Sequence, residues 1–424
     1  MLIRNTYMVD PRSETNGIRD IRIDREKGTV SDIAAAGTLK ARGAEKVIEA
    51  DGITTVPGLV DGHVHFRDPG FTEKEDIVTG AAAAAAGGFT SVVMMANTDP
   101  SVDNTETLDY VINKGKRTGI HVYASANVTR GMCGMELTDM KTLSDHGAVV
   151  FTDDGKPITS ESILRKALSA AEKLGKPISL HEEDPAYITQ NGINDDIAAS
   201  LGLKGSPRAA EISMICRDVN IARDYNAELL IQHISTAEGV ELVRRVRNEG
   251  INVHAEVTPN HFTLTQEAIR RHMSLAKINP PLRTENDRMA LIEGLKSGSI
   301  EMIATDHAPH TQLEKSKPIT SAPSGIIGLE TSFSLGLREL VHTGYLTLSE
   351  LIRKMSTNPA SFFHLNAGYI AVGGPADLTL IDLRDEWTVN GNFKSRSKNS
   401  PYIGEKMPGR IIMTICNGRI VYRI

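Results

Sequence analysis

The chain is short of several things, and each shortage narrows what it does. Cysteine occurs only at Cys133, Cys216 and Cys416. That odd number, without the close spacing of a metal finger or a disulfide framework, points to reduced thiols in a cytoplasmic protein. No apolar run approaches the roughly 20 residues needed to cross a bilayer. The opening MLIRNTYMVD lacks the apolar core of a secretion signal, so neither membrane insertion nor export is expected. Positive charge is not in excess: the formal net charge is −6 with no dense basic stripe, which argues against a nucleic-acid partner. Low-complexity sequence is confined to GAAAAAAGG from Gly80. Alanine is the best helix former, so this patch reads as a tightly packed crossover helix and not as a linker.

What is present is an ordinary globular balance, 40% hydrophobic and 24% charged over 424 residues, enough to bury a sizeable core. The two ends share one style. IRDIRIDREKGTV near the start, and ADLTLIDL, WTVNG and RIIMTICNGRIVYRI near the end, alternate or concentrate β-forming residues. Asn417-Gly418 between two such runs is a hairpin signal. Residues 1–56 and 366–424 are therefore expected to combine into one small β-sandwich domain.

The middle, residues 57–365, has another rhythm. Eight apolar strand candidates occur: LVDGHVHF, TSVVMMAN, HVYASANV, AVVFTDD, PISLHEE, LLIQHIS, NVHAEVTPNHF and MIATDHAPH. Helical stretches separate most of them. One is expected to start at Ser160, another at Ser206, and a third to stop at Gly250. Alternating strands and helices imply a parallel sheet, and eight such units imply an α/β fold of the (β/α)8 barrel type.

In such barrels the chemistry sits at the C-terminal ends of the strands. Here one strand after another finishes on a polar side chain able to bind metal. VPGLVDGHVHF brings His63 and His65 to one side of an extended strand, with Val64 turned away. Asn97, Asp153 and Asp154, His181, His233 and Asp306 follow at the corresponding places. Any one such histidine is more often a structural residue. Their recurrence at successive strand ends points to a metal centre.

GLVDGHVHFRDPG, MANTDP, FTDDG, LHEED, QHIST, KINPPLR and ATDHAPH together resemble the motif set of class I dihydroorotases in the amidohydrolase superfamily. The resemblance runs from about Pro57 to His310 and continues at Gly328. It implies reversible, zinc-dependent cyclisation of N-carbamoyl-L-aspartate to L-dihydroorotate in pyrimidine synthesis. It implies one or two zinc ions, two being expected, with a metal-bound hydroxide as nucleophile. His63, His65 and Asp306 would hold the first ion, His181 and His233 the second, and Asp153 would bridge them, with Asp154 as the competing carboxylate. Many relatives use a carbamylated lysine as the bridge. Lys156 lies three residues beyond Asp153 and is read as loop charge. Asp306 would also be the general acid/base. His65, Arg67, Asn97, Asn279, His310, Ser324 and Gly325 would contact the substrate, Arg67 through its planar fork. The resemblance further suggests a homo-oligomer and association with aspartate carbamoyltransferase.

Two positions depart from the family pattern. Pro323-Ser324-Gly325 stands where Pro-Phe-Gly is usual, and Asn260 stands where a histidine is common. His261 and His307 are read as structural, and His121, His146, His254, His272, His342 and His364 as core or surface residues. Two alternatives stay open. One is another cyclic amidase, such as a hydantoinase or allantoinase. The other is a non-catalytic assembly protein of this fold, which would have lost the ligand residues seen here.

Overall fold

The computed structural model describes residues 1–424. The eight apolar runs form eight parallel strands: β1 (Leu59–Val64), β2 (Phe89–Met94), β3 (His121–Ala126), β4 (Ala148–Phe151), β5 (Ile178–Leu180), β6 (Leu229–Ile231), β7 (Val253–Val257) and β8 (Met302–Ile303). Each pairs with the next in sequence order. The ring closes between its first and last members. His65 donates its backbone N–H to the carbonyl of His307 at 2.9 Å, and Val64 bridges His307 in parallel. Asp61, buried in β1, reinforces the seam. Its carboxylate accepts from the Thr305 backbone N–H (3.1 Å) and from the Thr305 hydroxyl (2.5 Å).

The strands are mostly buried, and their side chains join the main apolar core with Val64, Phe66, Val92, Phe151 and Leu229. The alanine-rich patch is the helix Ile77–Ala86, started by a capping box at Asp76. Small residues let it lie close against the barrel. A side chain at Gly80 would come within 2.3 Å of the Phe66 ring, so the helix backs the residue that follows His65. The helix Glu161–Leu174 begins after Ser160 and ends on Gly175 in the left-handed region. The helix Ala237–Asn248 stops shortly before Gly250, whose φ is +82°. Ser206 starts no helix. The helix Arg208–Ala222 is preceded by Pro207, and the Ser206 hydroxyl instead donates to Glu183 at 2.8 Å.

The two chain ends build one mixed eight-stranded sheet. Its hinge is Thr54–Pro57, which pairs in parallel with Tyr7–Met8 and antiparallel with Leu378–Ile381. This strand leads directly into β1, so the terminal sheet is tied to the barrel floor where β1 begins. Asn417 and Gly418, both with positive φ, turn the hairpin between Lys406–Cys416 and Arg419–Arg423. A separate apolar cluster, including Ile3, Met8, Ile21, Ile23 and Leu378, fills this sheet's own core. No helix is long and apolar enough to cross a membrane.

Candidate active site

The polar strand ends converge at the C-terminal rim. The Nε2 atoms of His63 and His65 lie 3.4 and 3.5 Å from the two carboxylate oxygens of Asp154. On the other side of the same carboxylate, His181 Nδ1 and His233 Nε2 lie 3.7 and 3.8 Å from Asp154 Oδ1, and 3.0 Å from each other. Asp306 Oδ1 completes the first group, 2.9 Å from His65 Nε2 and 3.6 Å from His63 Nε2. Asp154 thus stands between two nests of donors, His63–His65 and His181–His233.

The central carboxylate is Asp154 and not Asp153. Both follow β4, but neighbouring residues point to opposite sides. Asp153 faces the barrel wall, where it accepts from the backbone N–H of Val128 (2.9 Å) and Thr129 (3.1 Å) and from the Thr129 hydroxyl. With those acceptors engaged, it is left out of both donor groups. Lys156 does not line the site.

These groups fit a divalent metal on geometric and electrostatic grounds. A tetrahedral ion with bonds of roughly 2.0–2.2 Å sets its ligand atoms about 3.3–3.6 Å apart, close to the 3.4–3.8 Å between Asp154 and the four imidazoles. His63 Nε2 is buried, aims into the cluster and has no hydrogen-bond partner. Burial alone would raise the Asp154 carboxyl. The charge on His63 and the imidazoles of His181 and His233 close beside it overcome that and hold the group well below the usual carboxylate range. Burial alone would lower His181, yet Asp154 and Glu183 push it up to about 10. Lone pairs that bind protons so tightly bind cations for the same reason. Asp306 is held ionised as well. Burial raises it, but the hydrogen bond from His65 and the charges of His63 and His65 lower it further.

Outer partners orient three of the imidazoles, as metal-binding histidines require. His63 Nδ1 lies 2.7 Å from Glu256, His65 Nδ1 3.0 Å from Asn97 Oδ1, and His181 Nε2 3.2 Å from Glu183. His233 has no such partner at Nδ1. Its backbone, at φ +31°, sets its direction. Glu256 and Glu183 were not singled out in the sequence. Glu256 is a fully buried acidic residue inside β7, and that is the one signal that marks it.

The cleft over this cluster is lined by His65, Arg67, Asn97, Asn279, Ser324 and Gly325 among others. Arg67, half-buried with φ +59°, forms no ion pair. Its Nε donates to the Pro309 carbonyl at 3.4 Å, and its Nη2 lies 3.5 Å from His310 Nε2. Asn279 Oδ1 is buried without a partner. Asn97 also donates to Asp154 Oδ2 at 3.2 Å, so it fixes ligands as well as facing the cleft.

His310 and Gly325 take places other than those expected for direct polar contacts. His310 Nε2 is 2.8 Å from the Ser324 carbonyl, and burial beside Arg67 pushes its pKa down to about 3. It is a neutral ring that holds the Ser324 loop and does not line the cleft. Gly325 donates its N–H to Lys277 and accepts at its carbonyl from Lys315 Nζ (2.9 Å) and Asn399 Nδ2 (3.0 Å). Its backbone is engaged, and a side chain has no room there: at φ +141°, a Cβ would come within 2.8 Å of Ala308 O. Asn399, from the terminal half of the chain, also donates to Ala308 O (3.0 Å) and accepts from His310 N–H (3.1 Å). It ties the substrate-side loop together and had no motif to announce it. Asn260 turns away from the cluster and accepts from the Tyr402 hydroxyl at 3.0 Å. His261 and His307 are held by Thr258 and Glu75.

Comparisons with known proteins agree with this construction. Residues 54–421 match the model of the amidohydrolase family. The chain is 46% identical over 424 residues to a dihydroorotase of Clostridioides difficile, covering 100% of this chain and 99% of that one. It is 47% identical over 426 residues to a dihydroorotase of Streptococcus thermophilus, covering 100% of both. Among solved structures it is similar to the L-hydantoinase of Arthrobacter aurescens, with a TM-score of 0.89 and 25% identity over 100% of this chain and 96% of that one. A D-hydantoinase shares the fold at TM-score 0.87 and 23% identity, covering 100% of this chain and 95% of the other. The chain belongs to the amidohydrolase family, on its dihydroorotase branch. It is accordingly a metal-dependent cyclic amide hydrolase acting on a small molecule.

Proposed function

We propose that the chain interconverts L-dihydroorotate and N-carbamoyl-L-aspartate, the ring-closing step of pyrimidine synthesis, with zinc as the metal and two ions per chain. The observation that carries this reading is Arg67, a half-buried guanidinium at the mouth of the metal cluster with no carboxylate of its own. Dihydroorotate brings the missing carboxylate, and hydantoin has none.

His63, His65 and Asp306 would hold one ion, His181 and His233 the other, with Asp154 between them. When bound, such ions polarise the amide carbonyl and lower the pKa of water to roughly 7. The other tasks fall to the protein. Arg67 orients the ring by its carboxylate through a charge-assisted pair. The unpartnered Asn279 Oδ1 is placed to accept an N–H of the ring or of the ureido group. Asp306, ionised and open to the cleft, takes the proton of the attacking water and delivers it to the departing amide nitrogen. In the biosynthetic direction it takes a proton from the ureido nitrogen as that nitrogen bonds to the side-chain carboxyl carbon, and returns it to the departing hydroxyl, which leaves as water. The Ser324–Gly325 wall limits the ring's position.

Hydantoinase is the second reading, favoured by the similarity of the whole fold to L-hydantoinase. The test is an assay of the purified, metal-analysed protein on dihydroorotate, hydantoin and allantoin. Strong preference for dihydroorotate is expected, and preference for either neutral ring would overturn the reading.

A further inference from the structure

A second set of donors meets at the opposite end of the barrel. His121 opens β3 on the floor, and its Nε2 lies 3.0 Å from Asp377 Oδ2. Asp377 immediately precedes the strand Leu378–Thr388, and its other oxygen accepts from the Asn417 N–H at 2.6 Å. Cys416 ends the neighbouring strand Lys406–Cys416, with Sγ 3.6 Å from the Thr90 carbonyl. One potential ligand atom from each of the three residues lies within 4.8 Å of the others. The barrel supplies one donor and the terminal sheet two, across the seam between them.

We propose that His121, Asp377 and Cys416 form a further cation site, for a divalent ion of the zinc class, separate from the rim cluster. The donor set is one imidazole nitrogen, one carboxylate oxygen and one sulfur, all of them established zinc ligands. Two of the three are shut away: Cys416 is 1% exposed and Asp377 3%. The His121 side chain is 37% exposed, so the site has one open side, for entry and for a water as fourth ligand. A thiol packed against a carboxylate cannot ionise easily, and burial with Asp377 pushes Cys416 far up. A divalent ion resolves that conflict: it binds the thiolate and the carboxylate together, and the thiol proton leaves to solvent. The plainer arrangement, a His–Asp hydrogen bond beside a packed thiol, needs no ion and is what the experiment excludes.

The proposal does not rest on the activity of the rim. Rim ligands are nitrogen and oxygen only, so thiolate-to-cobalt charge-transfer absorption in the near ultraviolet reports a cysteine and nothing else. The full-length protein is loaded with Co²⁺, and its bound metal is counted after desalting. The expected result is a thiolate band in wild type and one more ion per chain than in Cys416→Ser. The band should be absent in Cys416→Ser, strongly reduced in His121→Asn and unchanged in Cys133→Ser. The partly exposed His121 gives a variant that does not disturb the core. Absence of the band in wild type, its survival in Cys416→Ser, or equal metal content in the two proteins would overturn the proposal.

Discussion

The rim of the barrel and the sheet built from the chain ends use the same backbone exception for different ends. In the terminal sheet, non-glycine residues with positive φ sit at a bulge and in turns: Asn5, Glu14 and Asn417. Asparagine tolerates that region, and the loop geometry asks for it. At the rim three of the residues with positive φ, Arg67, His233 and Asp306, are drawn from the site. Such conformations cost of order 1–3 kcal/mol and persist where surrounding structure enforces them. Charge divides the two regions in the same way. The sheet pairs its buried Arg22 with Glu45 and Asp32. The rim gathers four buried histidines around Asp154 and leaves Arg67 without an anion. One region is satisfied within itself; the other is complete only with a metal and a substrate.

That contrast makes graded predictions. The largest effect is expected at Asp154. Asp154→Asn should lose metal and nearly all turnover together, whereas Asp153→Asn, whose partners are Val128 and Thr129, should keep its metal. Metal analysis and kcat on both variants decide it, and loss of metal in Asp153→Asn alone would restore the other assignment. Next comes Asp306→Asn, which keeps shape but cannot take a proton. A loss of ~10²–10⁴-fold in kcat is expected with the fold intact, and near wild-type rates would remove Asp306 from the proton path. Asn399→Ala leaves the Ala308 carbonyl and the His310 N–H without a partner, at about 1–3 kcal/mol per buried group. A loss of roughly tenfold to a hundredfold in kcat/KM should follow, carried by KM because the loop faces the substrate and not the metal. An effect confined to thermal stability would make Asn399 merely structural. The smallest effect is expected in the sheet. Ile21→Val should cost about 0.5–1.5 kcal/mol in denaturant unfolding and leave kcat unchanged. A change in kcat would show that the two regions are coupled.

The barrel was legible because each strand is an apolar run that breaks off at a polar residue, and the terminal sheet because its residues alternate. His63, His65, His181 and His233 were legible for the same positional reason. What escaped was decided by contacts between distant parts of the chain. Asp153 and Asp154 are adjacent, and only the Val128–Thr129 backbone, which captures the first, shows which one turns inward. Glu256 is one acidic residue in a strand, meaningful only once β7 lies beside His63. Asn399 reaches the loop that carries Ala308, His310 and Gly325 from a segment more than 70 residues further along the chain. Gly325 reads as a substrate contact, and only the fold shows that Lys277, Lys315 and Asn399 occupy its N–H and carbonyl. Ser206 has the chemistry of a helix start, but Glu183 takes its hydroxyl.

The most direct test of the account compares kcat/KM for dihydroorotate and hydantoin in wild type and in Arg67→Met, with metal content matched. Hydrogen bonds to a charged group are worth roughly 1.5–3 kcal/mol each, and Arg67 offers two to a carboxylate. The substitution should therefore reduce dihydroorotate turnover by about two to four orders of magnitude, while the hydantoin rate stays within a few-fold of its wild-type value. Equal losses on both substrates would show that Arg67 supports the loop and does not read a carboxylate, and the dihydroorotate assignment would lose the observation it stands on.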